Sequence, residues 1–149
     1  MTPPDLSKEL AILLGRLVYY SGWVEHTLGE LTVLHHPQRS ESSDTSWGSS
    51  GRGLIKGLRR IPNPDDKLLA AISEYEELSE WRNKVIHSGW VDQGPEIIMG
   101  FHAPLQRGVP TMATYALSHS LLDALIVRWT QLSSDVDDLV SVAMGLKPS

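Results

Sequence analysis

The chain has 149 residues and no cysteine, which fits one domain with a single core and excludes disulfides and thiolate metal sites. A net charge of −5 argues against a broadly nucleic-acid-coating surface and leaves room only for a local basic patch. No apolar run approaches the roughly 18 residues of a membrane span, and Met1 to Leu10 lacks the basic-then-apolar pattern of a signal peptide, so a single soluble domain in a reducing cytoplasm is expected.

The first element opens at Asp5 or Ser7, either of which can cap a helix running to about His35. Leu10, Leu13, Leu14, Leu17, Val24, Leu28 and Leu31 recur at helical spacing and make its apolar stripe. Gly15 and Gly22 lower helix propensity locally and mark close packing or a kink. Glu25 sits beside the stripe. It reads either as a boundary residue or as a partly buried carboxylate that orients a group elsewhere in the chain. His35-His36-Pro37 ends the helix, because a residue before proline is pushed out of the α region.

Residues 37–50 are polar, serine-rich and nearly free of apolar side chains, as in a mobile loop. The glycines of 48–53 lack the GK[ST] ending and the preceding strand of a phosphate-binding P-loop. A short basic helix is expected over Gly53–Ile61. Arg52, Lys56, Arg59 and Arg60, four of the chain's 13 basic residues, make this the candidate contact for nucleic-acid phosphates, and such binding weakens with salt. Pro62-Asn63-Pro64 punctuates. Asp65 or Asp66 then begins a helix whose apolar face includes Leu68, Leu69, Ile72, Tyr75, Leu78, Trp81, Val85 and Ile86. Glu80 and Lys84 are spaced as an i,i+4 pair. The glutamates at 74, 76, 77 and 80 read as a solvated face.

That helix ends in Trp81-Arg82-Asn83-Lys84-Val85-Ile86-His87-Ser88-Gly89, with Gly89 a plausible glycine just past its end. Arg82 and His87 are about 140° apart around the axis, while Asn83 and His87 share a face. A cationic group of this kind suits a phosphate better than an apolar ligand. By itself the spacing is equally compatible with a surface arginine paired to carboxylates and a histidine at the negative end of the helix dipole.

The period then changes. Trp90–Asp92 and Glu96–His102 read as two short strands around Gln93-Gly94-Pro95, and Val109–Tyr115 is a candidate third. Ser118 caps a last helix to about Leu146, with Leu121, Leu122, Leu125, Ile126, Trp129, Leu132, Val136, Leu139 and Val140 on its apolar side. The expected architecture is therefore mainly α: one domain over residues 1–149, an antiparallel bundle of three long helices plus a short one, with a small β hairpin inserted before the last helix. A helix of about 28 residues spans about 42 Å, long for a monomer of this size, so a second copy is expected to cover surplus apolar surface. Other chemistry is thin. No HExxH motif is present, His35 and His36 read as solvated helix-end residues, and Ser118/His119 lacks a nucleophile elbow.

An Arg-x4-6-His motif near the end of the third helix, with a polar residue straight after the arginine, resembles the HEPN family. Here Arg82, Asn83 and His87 carry that likeness, together with Val85-Ile86-His87-Ser88-Gly89-Trp90 and a β hairpin after it. Ser21-Gly22-Trp23-Val24-Glu25 is similar to the family's first helix. The resemblance implies a homodimer that cleaves RNA without metal or cofactor, in a cleft to which each protomer brings the motif. His87 would act as acid and base, Arg82 would stabilise the phosphate, Asn83 would hydrogen-bond the phosphate or fix the ring, and Glu25 would support the site. The basic residues from Arg52 to Arg60 would hold flanking phosphates, and Trp90 could stack a base. The family also implies an antitoxin protein. Members silenced through a tyrosine two positions after the histidine differ from this chain, which has Gly89 there, so an antitoxin of another kind, or none, is implied. The alternative is a non-catalytic HEPN-like dimeric module that binds RNA, a nucleotide or a protein.

Overall fold

A computed structural model describes residues 5–36, 51–92, 97–102 and 105–149. The polar stretch 37–50, read as a mobile loop, and the turn around Gln93-Gly94-Pro95 lie outside the described residues. Among the described residues the chain is mainly helical, with four helices and a small three-stranded antiparallel sheet before the last of them. Among the described residues, no helix is long and apolar enough to cross a membrane.

Helix α1 spans Lys8–Leu34 and runs unbroken through Gly15 and Gly22. Of its two candidate caps Ser7 serves, its Oγ accepting from the Leu10 amide at 3.2 Å and satisfying one of the first-turn donors the helix leaves open. Helix α2 is Gly51–Leu58, beginning and ending earlier than the basic stretch suggests. Gly51 stands at φ +55, a conformation glycine adopts without steric cost, and Ile61 follows the helix as a buried residue in a turn. Helix α3 covers Asp66–Ile86, opened by Asp65, whose carboxylate accepts from the Leu68 amide at 2.8 Å.

The expected hairpin is the larger part of a sheet. Strand β1 (Gly89–Asp92) pairs with β2 (Ile97–His102), from Gly89 opposite Phe101 to Asp92 opposite Ile98. The third strand starts later than the sequence pattern suggests: β3 (Leu105–Gln106) and β4 (Val109–Pro110) form their own two-residue ladder. Between them Arg107 and Gly108 both have positive φ, as a tight two-residue hairpin turn requires. Strand β5 (Ala113–Ser118) then pairs with β2, giving the order β1-β2-β5.

Helix α4 is His119–Ala143, capped by Ser118 Oγ on the Leu121 amide at 2.9 Å. It stops short of Leu146 because Gly145 takes φ +74. The amides of Gly145 and Leu146 fold back onto the carbonyls of Val142 and Ser141, at 2.9 and 2.8 Å, a Schellman ending that consumes carbonyls the helix would otherwise leave open.

Helix α1 packs on α4 and α2, and α3 packs on α4. Leu17, Val24, Leu28, Leu58, Tyr75, Leu78, Ile126 and Trp129 form one buried cluster among them. Leu69, Ile86 and Leu121, which periodicity places on apolar faces, stay exposed. The glutamate run on α3 is not simply a solvated face. Arg128 of α4 makes a two-pronged bond to Glu74, Nε to Oε1 at 2.7 Å and Nη2 to Oε2 at 2.8 Å, and reaches Glu77 at 3.2 Å. The bond from Arg128 holds the Glu74 carboxyl below its usual range.

Candidate active site

Glu25 on α1 and Arg82 on α3 meet. The Arg82 Nη2 donates to Glu25 Oε1 at 2.7 Å, and the hydroxyl of Tyr75 donates to the same oxygen at 2.8 Å. Tyr75 and Arg82 are seven residues apart, two turns, so they lie on one face of α3 and converge on the facing helix. Both charged side chains are about four-fifths covered, at 18% exposure for Glu25 and 19% for Arg82, and Tyr75 is fully buried. Burial, and then the bond to the Glu25 carboxylate, push the Tyr75 phenol far above its ordinary pKa, so it remains a donor at any physiological pH. Glu25 is thus a partly buried carboxylate that holds Arg82.

Asn83 and His87 lie at the same end of the helix and are exposed. His87 is the C-cap residue (φ −94, ψ 12), its amide donating to the Asn83 carbonyl at 3.0 Å. Gly89 is therefore not the residue just past the helix in a left-handed conformation. It is the first residue of β1, and its φ is not positive.

The reason is long-range. The last carbonyls of a helix need partners, and here the sheet provides them. Trp90 Nε1 donates to the Val85 carbonyl at 2.8 Å, and the Tyr115 hydroxyl bonds the Lys84 carbonyl and Ser88 Oγ. The rings of Trp90 and Tyr115 meet edge-on, with centroids 5.7 Å apart. Tyr115 lies across Gly100 of the middle strand so closely that a Cβ there would come within 2.8 Å of the ring, which explains the glycine. The sheet thus clamps the backbone under His87. Trp90, a candidate base-stacking residue, is half-buried in this clamp.

The basic residues divide. Arg52 and Lys56 on α2 and Arg60 after it are exposed, whereas Arg59 pairs with Glu76 of α3 at 2.7 Å and so ties α2 to α3. Lys84, spaced to pair with Glu80, has its Nζ over the Trp81 ring, 5.0 Å from the centroid. Tyr75, Ser88 and Tyr115 are the participants that sequence reading missed. Tyr75 was legible only as an apolar-face residue, and its two-turn spacing from Arg82 is the signal that could have found it.

Removing the acceptor shared by Arg82 and Tyr75 should be costly. Glu25→Ala is expected to lower folding stability by about 2–3 kcal/mol, less than for a fully buried pair because one-fifth of each group remains wet. Glu25→Gln, which keeps one acceptor oxygen, should cost about half as much. Urea denaturation of the two variants measures this, and a loss under about 0.5 kcal/mol for Glu25→Ala would show that the trio does not hold α1 to α3.

No protein-family model matches the chain, and neither a curated protein nor a solved structure matches it.

Proposed function

We propose that the chain is a metal-independent endoribonuclease of the HEPN type, acting in the cytoplasm as a homodimer of antiparallel helical bundles. The observation that carries this reading is the trio in which Tyr75 holds Glu25, and Glu25 holds Arg82, beside the exposed end of α3 bearing Asn83 and His87. In such a site the RNA 2′-hydroxyl attacks the adjacent phosphodiester. One imidazole takes the hydroxyl proton and a second protonates the leaving 5′-oxygen, acid and base roles that histidine fills more readily than any other side chain.

Two copies of His87 across a two-fold axis supply both imidazoles. Arg82 offsets the charge that grows on the phosphate oxygens, where a planar guanidinium suits their geometry, and Asn83 hydrogen-bonds phosphate or ring. Arg52, Lys56 and Arg60 bind flanking phosphates. Exposed apolar side chains along α1, Ile12, Val18, Tyr19 and Trp23, support a self-associating surface. Light scattering that reads only a single 16.5 kDa chain would remove the dimer.

The test is incubation of the purified protein with mixed single-stranded RNA in excess EDTA. The expected products carry 2′,3′-cyclic phosphate ends. RNA left intact across several substrates would overturn the nuclease. The second reading, a non-catalytic module that binds RNA, a nucleotide or a protein such as an antitoxin, would then stand. What favours that reading is the commitment of Arg82: its Nη2 is bound to Glu25, and its Nε is buried without a hydrogen-bond partner among the described residues.

A further inference from the structure

A cleft of about 770 Å³ opens between α1, α2 and the last turns of α4, within the roughly 300–1,000 Å³ usual for small-molecule sites. Its walls are apolar where Val33, Leu54, Val140 and Met144 line it. Gly29 of α1 lines it, and a Cβ there would meet nothing within 4 Å, so a larger side chain has room at this position. Among the described residues, the ionisable groups lining it are Glu25, Glu30 and His26, with no lysine or arginine. His26 Nε2 stands 3.2 Å from Glu30 Oε1. Glu25 lines this cleft with a carboxylate whose two donors both fall on Oε1, and its Oε2 takes no hydrogen bond among the described residues.

We propose that this cleft binds a small amphiphile with a primary ammonium head, the head on Glu25 Oε2 and Glu30 and the apolar body against Val33, Leu54, Val140 and Met144. The charge of the lining selects the head. A carboxylate or phosphate would face two glutamates, and a neutral head would forgo the charge-assisted bonds that an ammonium makes with both. The apolar walls select the body, because a free inorganic cation would leave them wet. Occupancy is sensed at Arg82, which holds the other oxygen of the same carboxylate. The value of that link for regulation rests on the proposed nuclease, but its detection does not.

The probes are 1-naphthylmethylammonium, 1-naphthylmethanol and 1-naphthoate, which share one apolar body and differ in the head, titrated into the isotopically labelled full chain and followed by NMR. The ammonium is expected to bind at least about tenfold more tightly than the alcohol, and the naphthoate more weakly than either. Gly29→Leu, which fills the cleft from a helical position with open space around it, should abolish binding with the fold retained by circular dichroism. Glu30→Gln should reduce the preference for ammonium over alcohol several-fold. The Arg82 Nε–H resonance, assigned by its absence in Arg82→Ala, should move as the ammonium saturates.

Equal affinity for ammonium and alcohol, or undiminished binding by Gly29→Leu, would overturn the site. An Arg82 resonance that stays fixed at saturation would overturn the link. If none of the probes binds and Gly29→Leu instead dissociates a dimer, the cleft belongs to a second copy of the chain and the small-molecule assignment is wrong. None of these readouts uses RNA, so the amine site and the nuclease can fail separately.

Discussion

His87→Ala is expected to lower RNA cleavage by about 10²–10⁴-fold and to leave the thermal midpoint within about 2 °C of wild type. The first figure is the usual worth of a positioned acid–base group. The second follows because His87 is exposed at the very end of its helix, and surface truncations usually stay within about 0.5 kcal/mol. Arg82→Ala should lose about 10²–10³-fold in cleavage, and unlike His87→Ala it should also lose about 2–3 kcal/mol of stability, because it leaves the Glu25 carboxylate largely covered and without its cation.

Arg82→Lys separates the two roles. It keeps a charge near Glu25 and so much of the stability, but a point charge cannot present the planar fork that a phosphate accepts, so cleavage should remain low. Rates on a defined single-stranded RNA, read beside melting curves, decide the matter. Either alanine variant cutting RNA at the wild-type rate while still folded would remove that residue from the mechanism.

What could be read in the sequence was what local physics determines. Ser7, Asp65 and Ser118 each cap a helix because a short polar side chain three residues before an amide can satisfy it with no help from the rest of the fold. The long helices followed from apolar spacing. Errors arose where a distant partner decides. Gly89 looked like a helix terminator, but the end of α3 is completed by Trp90 and Tyr115, and Tyr115 arrives from β5, 31 positions beyond the Lys84 carbonyl it bonds. The end of α4 depended on whether Gly145 would adopt a left-handed conformation, which composition alone leaves open.

The candidate site shows the same division. Arg82, Asn83 and His87 stand out as a local cluster. Glu25 was visible only as a carboxylate in search of a partner, since its bond to Arg82 spans 57 positions, and Tyr75 was hidden because a tyrosine on an apolar face reads as core. It is core and hydrogen-bond donor at once, its ring in the cluster and its hydroxyl on Glu25.

That double role leads to the residue behind it. Trp129 of α4 is fully buried, and its ring meets Tyr75 edge-on with centroids 6.1 Å apart and planes at 77°, a favoured aromatic geometry. Trp129→Ala is expected to cost about 3–5 kcal/mol, a fall in melting temperature of about 10 °C or more for a domain of this size. Trp129→Phe should behave very differently. The indole N–H is buried with no hydrogen-bond partner among the described residues, and such a donor costs about 1–3 kcal/mol. Phenylalanine loses volume but sheds that donor, so the two effects offset and the net change should be within about 1 kcal/mol.

The variants also differ at the site. With alanine, Tyr75 loses the surface that fixes its ring, Glu25 loses a firmly placed donor, and Arg82 is held by a carboxylate with more freedom, so cleavage should fall even well below the melting temperature. Phenylalanine retains an edge for Tyr75 to pack on and should preserve the rate. A Trp129→Phe variant as unstable as Trp129→Ala would mean that the indole N–H is satisfied in the folded protein. A Trp129→Ala variant that stays folded and cuts RNA at full rate would break the proposed chain of support from Trp129 through Tyr75 and Glu25 to Arg82.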